Sequence, residues 1–330
     1  MPNWASLSIR LLLRMLVAVL VLAAARTEGI RAARLRADTA KDSGVQSAIV
    51  GGTRAPRGRY PWVASLRVNN GSLAHFCGAS LVAPQIVMTA AHCLVEANGS
   101  WSVAMYSFPQ VRLGGWELNG GVYEAHEVLR ACVHESYNAV TNANDVALLL
   151  LNSTSKLTPV KLPPSTPDPA VPNGTPLRTL GWGALWQSGP LARNLMEVGL
   201  DSISNCNRWI PRNQLDRSMV CAGSPRYGKD ACQGDSGGAL FRPGANASSD
   251  LQLGIVSWGY GCAWEGAPGV YSNVPYLSSW VRQKVTLLQA SAALQPIRRQ
   301  QLKPQPGPPP PSVPAARRTS EKPVYGCIAK

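Results

Sequence analysis

The sequence predicts an all-β domain, a barrel or a sandwich, closed by one C-terminal helix, and three observations point there. Short apolar or alternating runs follow one another closely: "WVASLRV", "SLVAPQIVMTAAHC", "VALLLLN", "TLGWG", "LQLGIVSWGYGC" and "GVYSNV". Gly, Pro and Asn punctuate them, and closely spaced strand candidates with such turn signals argue for sheet packed on sheet. Helical spacing appears afterwards, where Leu277, Trp280, Val281, Val285 and Leu288 would press one apolar stripe onto the sheets. Beyond residue 290 the composition turns to "QPIRRQQLKPQPGPPPPSVPAARR". Consecutive prolines lack backbone donors and favour extended polyproline II, so residues 291–330 are expected to be a basic, Pro-rich, disordered tail.

At the other end, Arg10 and Arg14 precede an unbroken apolar run from Met15 to Ala25. That is a secretory signal pattern over residues 1–25, with cleavage after Ala25. The run is about half of the roughly 20 residues a membrane-spanning helix needs, so no span is expected. Eight cysteines and five N-x-[ST] acceptors, Asn70, Asn98, Asn152, Asn173 and Asn246, fit export to an oxidising, glycosylating compartment. The expected location is extracellular or a secretory granule.

With 330 residues and 45% hydrophobic content, the chain can bury a substantial core. Its net charge of +14 lies mostly outside the folded part: residues 286–330 hold seven basic side chains against one acidic. Such a tail attracts anionic surfaces, and anionic glycans are the expected partner class. No helix-turn-helix, zinc-finger or stacking-aromatic pattern accompanies the charge, which argues against a nucleic-acid reader. No metal-ligand cluster or phosphate-cradling loop stands out either, so no cofactor is expected.

One segment carries the chemistry. "KDACQGDSGGAL", residues 229–240, places Ser236 in a G-x-S-x-G nucleophile pattern that several unrelated hydrolase folds share. Chain order separates them. The last histidine is His134, so no histidine follows the serine, and the only aspartates before His92 are Asp38 and Asp42 in the presegment. The order His, Asp, Ser remains. His92, beside Cys93 in "MTAAHCLV", is the expected general base, while His75, His126 and His134 read as strand or surface histidines. Among the intervening aspartates, Asp145 alone leads an apolar strand, "NDVALLLL", which would carry its carboxylate inward to orient an imidazole.

Taken together, "IVGG", "TAAHC", "DVALL", "GWG", "GDSGG" and "SWGYGC…PGVY" resemble the chymotrypsin/trypsin family of serine endopeptidases from Ile49 to about Gln289. The resemblance implies two packed six-stranded antiparallel β-barrels with a C-terminal helix. It implies a propeptide over residues 26–48 and a protease domain over 49–290. Ser236 would attack a peptide carbonyl, His92 would take and return the proton, Asp145 would hold the imidazole, and Ser257 would support that aspartate. The N–H groups of Gly234 and Ser236 would bind the developing oxyanion. Cutting before Ile49 would free an ammonium to insert beside Asp235, so the precursor is expected to be nearly inactive. Relatives often carry a basic residue at the cut; here Ala48 stands there, which calls for an activator that accepts small residues.

The resemblance also places Asp230 at the base of the primary specificity pocket, with Gly259 and Gly269 as open walls and Trp258 beside the substrate strand. A carboxylate there selects guanidinium or ammonium, and Ala231 offers no hydroxyl to solvate an ammonium, so Arg is expected over Lys. Protein or peptide substrates with these residues, and protein protease inhibitors, are the implied partners. The implied bridges are Cys77–Cys93, Cys206–Cys221 and Cys232–Cys262. For Cys132 and Cys327 three fates stay open: pairing with each other, remaining free, or bonding another chain. A bridge common in relatives is lost at both ends, at Leu177 and Arg242. The alternative function is a silent or latent relative that binds glycans or proteins through its basic surface.

Overall fold

The computed structural model describes residues 49–69, 71–96, 98–101, 108–165, 171–224, 228–301 and 326–329, with backbone alone over 294–301. The expected signal and propeptide, residues 1–48, and the acceptor Asn70 lie outside the described residues.

Two closed, six-stranded antiparallel barrels make the domain. The first is built from β2 (Val63–Arg67), β3 (His75–Ala83), β4 (Ile86–Thr89), β5 (Gln110–Leu113), β6 (Glu124–Val133) and β7 (Ala147–Leu151). Its sheet runs β6-β5-β2-β3-β4-β7, and pairing of β6 with β7 closes it. The second contains β8 (Pro176–Gly181), β9 (Met196–Ile203), β10 (Met219–Gly223), β11 (Ala239–Arg242), β12 (Leu251–Trp258) and β13 (Gly269–Asn273). Its order is β9-β10-β13-β12-β11-β8, closed by β8 on β9, and a two-residue strand, β1 (Thr53–Arg54), adds to β9. Closure pairs most of each strand on both sides, which is why strands this short hold together. The run "ALLLL" becomes β7 with all five residues buried, because it lies between the barrel interior and the helix.

An aromatic cluster occupies the seam between the barrels. Tyr60, Trp62 and Phe241 stack edge to face with centroids 5.0–5.5 Å apart, and Trp62 and Phe241 are fully buried. Beside them the carboxylate of Asp250, with no exposed surface, accepts both terminal nitrogens of Arg59 at 2.7 Å, Trp62 Nε1 at 3.2 Å and Gly244 N at 2.9 Å. The acid heads a second-barrel strand, and its main donors enter the first barrel.

Helix α1 (Val274–Gln301) closes the domain. Asn273 caps it by accepting Tyr276 N at 3.4 Å, and Pro275 sits in the first turn, where its missing N–H is not needed. Leu277, Val281 and Leu288 are buried, while Trp280 and Val285 pack half-buried against the core, as their spacing implied.

The tail departs from expectation in two places. The helix continues past residue 290 to Gln301, because "QASAALQ" is rich in Ala, Leu and Gln, all strong helix formers that the nearby prolines masked in the composition. Residues 327–329 are also ordered, as β14 (Cys327–Ala329), paired antiparallel with Arg130–Cys132 of β6. β5 uses only residues 124–127 of β6, so β14 takes the remainder of that same edge. Cys132 and Cys327 are bonded to each other, giving four disulfides with Cys77–Cys93, Cys206–Cys221 and Cys232–Cys262. Residues 302–325 lie outside the described residues. Leu177, at one end of the lost bridge, is buried in the second core instead.

Arg59→Ala would leave Asp250 charged, buried and short of its two best donors. It is expected to lower the unfolding free energy by about 3–5 kcal/mol, measured by denaturant titration; a loss within about 0.5 kcal/mol would show that the seam does not depend on this pair.

Candidate active site

Each expected site residue is set by a distinct local device. His92 lies in a single 3-10 turn, Ala91–Cys93, that follows β4, and the Cys77–Cys93 bridge pins the turn to β3. Asp145 heads β7 after Asn144, whose left-handed φ of +56° turns the chain inward; asparagine tolerates that conformation better than most residues. The Asp145 side chain is 1% exposed. Its Oδ1 accepts His92 N at 2.9 Å, and its Oδ2 accepts His92 Nδ1 at 2.8 Å and Ser257 Oγ at 2.5 Å. Ser272 Oγ donates to the Asp145 carbonyl at 2.6 Å. The first barrel thus supplies the acid and imidazole, and the second supplies two hydroxyls that fix the acid.

Burial opposes charge on both partners, yet their mutual attraction and hydrogen bonds prevail. The His92 imidazole is held above its usual pKa by Asp145, and the Asp145 carboxyl below its own by His92 and Ser257. With Nδ1 bound to a carboxylate, Nε2 is the nitrogen left to take a proton, and the Cys93 sulfur lies 4.0 Å from it.

The loop that carries Ser236, the expected nucleophile, joins this pair through its backbone. Ser236 is partly buried; its carbonyl accepts Gly78 N at 2.7 Å and lies 3.7 Å from the sulfur of Cys93, the residue after His92. Among the described residues no hydrogen bond joins Ser236 Oγ to His92 Nε2; such contacts are often long in ligand-free enzymes and tighten on binding. The amides of Asp235, Gly237 and Gly238 are all engaged, by Cys232 O, Val256 O and Asp235 O. Those of Gly234 and Ser236 have no partner among the described residues, which leaves the two expected oxyanion donors available. Gly234 has a φ of +95°, and a Cβ there would sit 2.9 Å from Leu191 Cδ2 and 3.2 Å from Gly183 Cα. Glycine is therefore required by packing behind the loop as well as by the turn itself.

Asp235 points the other way, into the second barrel. Its fully buried carboxylate accepts Gly183 N at 2.7 Å and Cys232 N at 2.9 Å. A Cβ on Gly183 would lie 2.3 Å from it, so the acid occupies space that only glycine leaves. Burial pushes its pKa up to about 7 against these two amides, with Asp230 adding a smaller push. Ile49 is also fully buried, within the second-barrel core.

The expected pocket is present as a cavity of about 140 Å³ that reaches from Ser236 to Asp230, with Ala231, Ser257, Trp258, Gly259 and Gly269 on its walls. Asp230 is 5% exposed; Ala263 N donates to Oδ2 at 3.0 Å, and Oδ1 has no partner. Burial raises its pKa to about 6 against the pull of backbone amides.

Two further residues were not anticipated. Tyr271 lines the same cavity with its hydroxyl buried and unpartnered, and a Cβ on Gly269 would come within about 3.1 Å of both that hydroxyl and Asp230 Oδ1. Burial, then the nearby acids, hold its pKa well above the usual value. His75, read from sequence as a strand histidine, is on β3 but also touches the nucleophile loop, with Nε2 2.8 Å from Gly234 O and Nδ1 2.8 Å from Ser65 Oγ. A carbonyl only accepts, so Nε2 carries the proton and Ser65 donates to Nδ1. Its partner lies 159 positions away, and no local pattern signals the contact. His126 and His134 lie elsewhere, bonded to Glu124 and stacked near Trp280 respectively. The acceptors Asn98, Asn152, Asn173 and Asn246 are all exposed.

The chain has counterparts among known proteins. The family model described as Trypsin matches residues 49–281. Trypsin delta of Drosophila melanogaster is 36% identical over 244 residues, 71% of this chain and 87% of that protein. Serine protease 56 of Mus musculus is 36% identical over 248 residues, which is 72% of this chain but only 39% of the relative. Suppressor of tumorigenicity 14 protein homolog of Bos taurus is 33% identical over 249 residues, 28% of its own length. The chain thus spans less than half of some relatives it matches.

The two imidazoles should titrate on opposite sides of the ordinary value. His92 is expected above 6.5, contributing stability in full below 6.5 and losing it as pH rises through the folded pKa. His75, desolvated, is expected near 4, so the unfolded chain takes up a proton first and acidification from 6.5 towards 4 destabilises the fold. Imidazole NMR titration reads both, and Asp145→Asn should lower the His92 value alone. If His92 stayed put in that variant, the Asp145 contact would not be what raises it.

Proposed function

Because the chain belongs to the trypsin family of serine endopeptidases, we propose that it is an exported, arginine-directed member, made as a zymogen and acting through His92, Asp145 and Ser236. Ser236 Oγ attacks the substrate carbonyl as His92 Nε2 removes its proton, and the tetrahedral oxyanion is held by the amides of Gly234 and Ser236. His92 then returns the proton to the leaving amine, an acyl-enzyme forms on Ser236, and water repeats the cycle with His92 again the base. Asp145, fixed by Ser257 and by His92's own amide, keeps the imidazole in the useful tautomer and stabilises its charged form.

The observation that carries the specificity is the pair of unpartnered atoms at the pocket floor, Asp230 Oδ1 and Tyr271 OH. A buried carboxylate oxygen without a donor is costly unless the ligand supplies one. A guanidinium fork can reach both Asp230 oxygens, whereas an ammonium is a point charge that relies on further hydroxyls for solvation. Ala231 provides none, which favours Arg over Lys.

Activation follows the same logic at Asp235. In the uncut chain its carboxyl is buried with amide donors alone, and burial holds it near neutral charge. A free Ile49 ammonium beside it would restore the charge and lock the loop that carries Gly234 and Ser236. Ala48 precedes Ile49, so the activator accepts small residues and trypsin-like self-activation is not expected. The cysteine content, the four exposed N-x-[ST] acceptors and the residue 1–25 pattern support export. No described helix is long and apolar enough to cross a membrane.

With Ile49 generated as the free amino terminus, the secreted protein is expected to cleave Arg substrates about 10-fold or more faster than Lys ones in kcat/KM, the scale of one charged hydrogen bond. Ser236→Ala should abolish this, and Asp230→Asn should cost about 10²- to 10³-fold, the scale of a broken buried ion pair. Equal rates on Arg and Lys would remove the arginine preference; a cut protein that hydrolyses nothing would favour a silent, partner-binding relative.

A second expectation concerns pH. Asp235 binds its proton more tightly folded than unfolded, so the uncut protein should lose stability as pH rises from about 4 to about 7. The form with a free Ile49 ammonium should not. Denaturant midpoints at pH 4, 5.5 and 7 compare the two, and parallel profiles would dissociate Asp235 from activation.

A further inference from the structure

A second cavity, beside the specificity pocket, takes no part in the chemistry above. It encloses about 390 Å³ and shares Asp230 and Gly269 with the specificity pocket, so it backs onto the same acid. Its lining includes two aromatic side chains with much of their surface exposed, Trp209 at 38% and Trp264 at 57%. Neither is loosely placed. The Trp264 ring rests on the backbone at Gly261, where a Cβ would come within 2.5 Å of it, and Trp209 packs against Gly266, where a Cβ would come within 3.2 Å. Flat apolar rings held against backbone, with Asp201 in the same wall, suit a ligand with apolar faces and a rim of hydroxyls.

The sequence places an attachment point for a ligand of that chemistry at the cavity. Asn173, in Asn173-Gly174-Thr175, lines the same cavity and is exposed. Its Oδ1 accepts Ser204 N at 3.0 Å, so its hydrogen bond uses the oxygen and not the nitrogen to which a sugar is attached. The turn beneath it is tied to β9: Gly174 N donates to Ser202 O at 2.8 Å, Thr175 N to Ser202 Oγ at 2.9 Å, and Thr175 Oγ1 to Pro172 O at 2.6 Å. A glycan attached there would leave from a fixed point.

We propose that Asn173 carries an N-linked glycan whose first sugars lie in this cavity against Trp209 and Trp264, hydrogen-bonded to Asp201. Docked there, the sugars brace the segment from Ala263 to Gly269, whose first amide holds Asp230 Oδ2. The inference rests on the export reading above and adds to it a modification with a structural role in the specificity pocket.

The test uses the full chain with Ser236→Ala, secreted from glycosylating cells, so that no readout depends on protease activity. Peptide mapping should find Asn173 occupied. A peptide N-glycosidase acting on the native protein should release its glycan about tenfold more slowly than those at Asn98 or Asn152, the slowing that roughly 1.4 kcal/mol of docking produces. Trp264→Leu, at an exposed ring, should bring the Asn173 rate up to that of the other sites, and deglycosylation of the parent should change indole fluorescence. A bare Asn173 would overturn the inference and leave export standing; a chain that never reaches the medium would remove the export reading as well. Release from Asn173 as fast as from Asn98, or a rate indifferent to Trp264→Leu, would show a glycan in solvent and end the docking claim.

Discussion

The geometry of the site depends on how two barrels are held against each other, and two buried carboxylates join them beside the aromatic cluster at the seam. Asp145 receives the imidazole and amide of His92 from its own barrel and the hydroxyl of Ser257 from the other. Asp250 receives Arg59 and Trp62 across the seam in the opposite sense. A charge without solvent exposure tolerates little displacement of its donors, because the desolvation cost is offset only while every donor stays in place. Alignment of the imidazole with the nucleophile loop is thus a by-product of satisfying acids that cannot reach water.

A second pair of acids, Asp230 and Asp235, meets the same cost differently. Both are buried, both are pushed towards the neutral form, and both are served mainly by backbone amides. In the proposed mechanism each awaits a cation: Asp235 an ammonium made by cutting this chain, Asp230 the side chain of another. Cys232 stands between them, donating its amide to Asp235 and bonding its sulfur to Cys262 on the pocket wall. Ordering one acid and filling the other are therefore coupled through the six-residue stretch from Asp230 to Asp235.

Much of this was legible in the sequence, and the pattern of what was not is physical. The helix stripe, the buried β7 and the contact of His92 with Asp145 were readable because each residue sits in a contiguous run whose neighbours define its setting. The need for glycine in the turn at Gly234 was readable, but the atoms that also require it, Leu191 and Gly183, were not. His75 and Tyr271 were missed because their significance comes from strand register with partners far along the chain. The Arg59–Asp250 pair spans 191 positions and looks from sequence like two surface charges. Composition alone described the tail as disordered to its end, since a bridge 195 positions long leaves no local trace.

That bridge makes the region after the helix a closed loop with two fixed ends. One end is the backbone at Gln301, the other Cys327, bonded to a cysteine with no exposure in β6. Hydrolysis of any single peptide bond between residues 302 and 325 would open the loop without releasing either piece. Nicked and intact molecules would then travel together in every separation by size until a thiol reductant was added, and the last few residues would remain passengers of the first barrel.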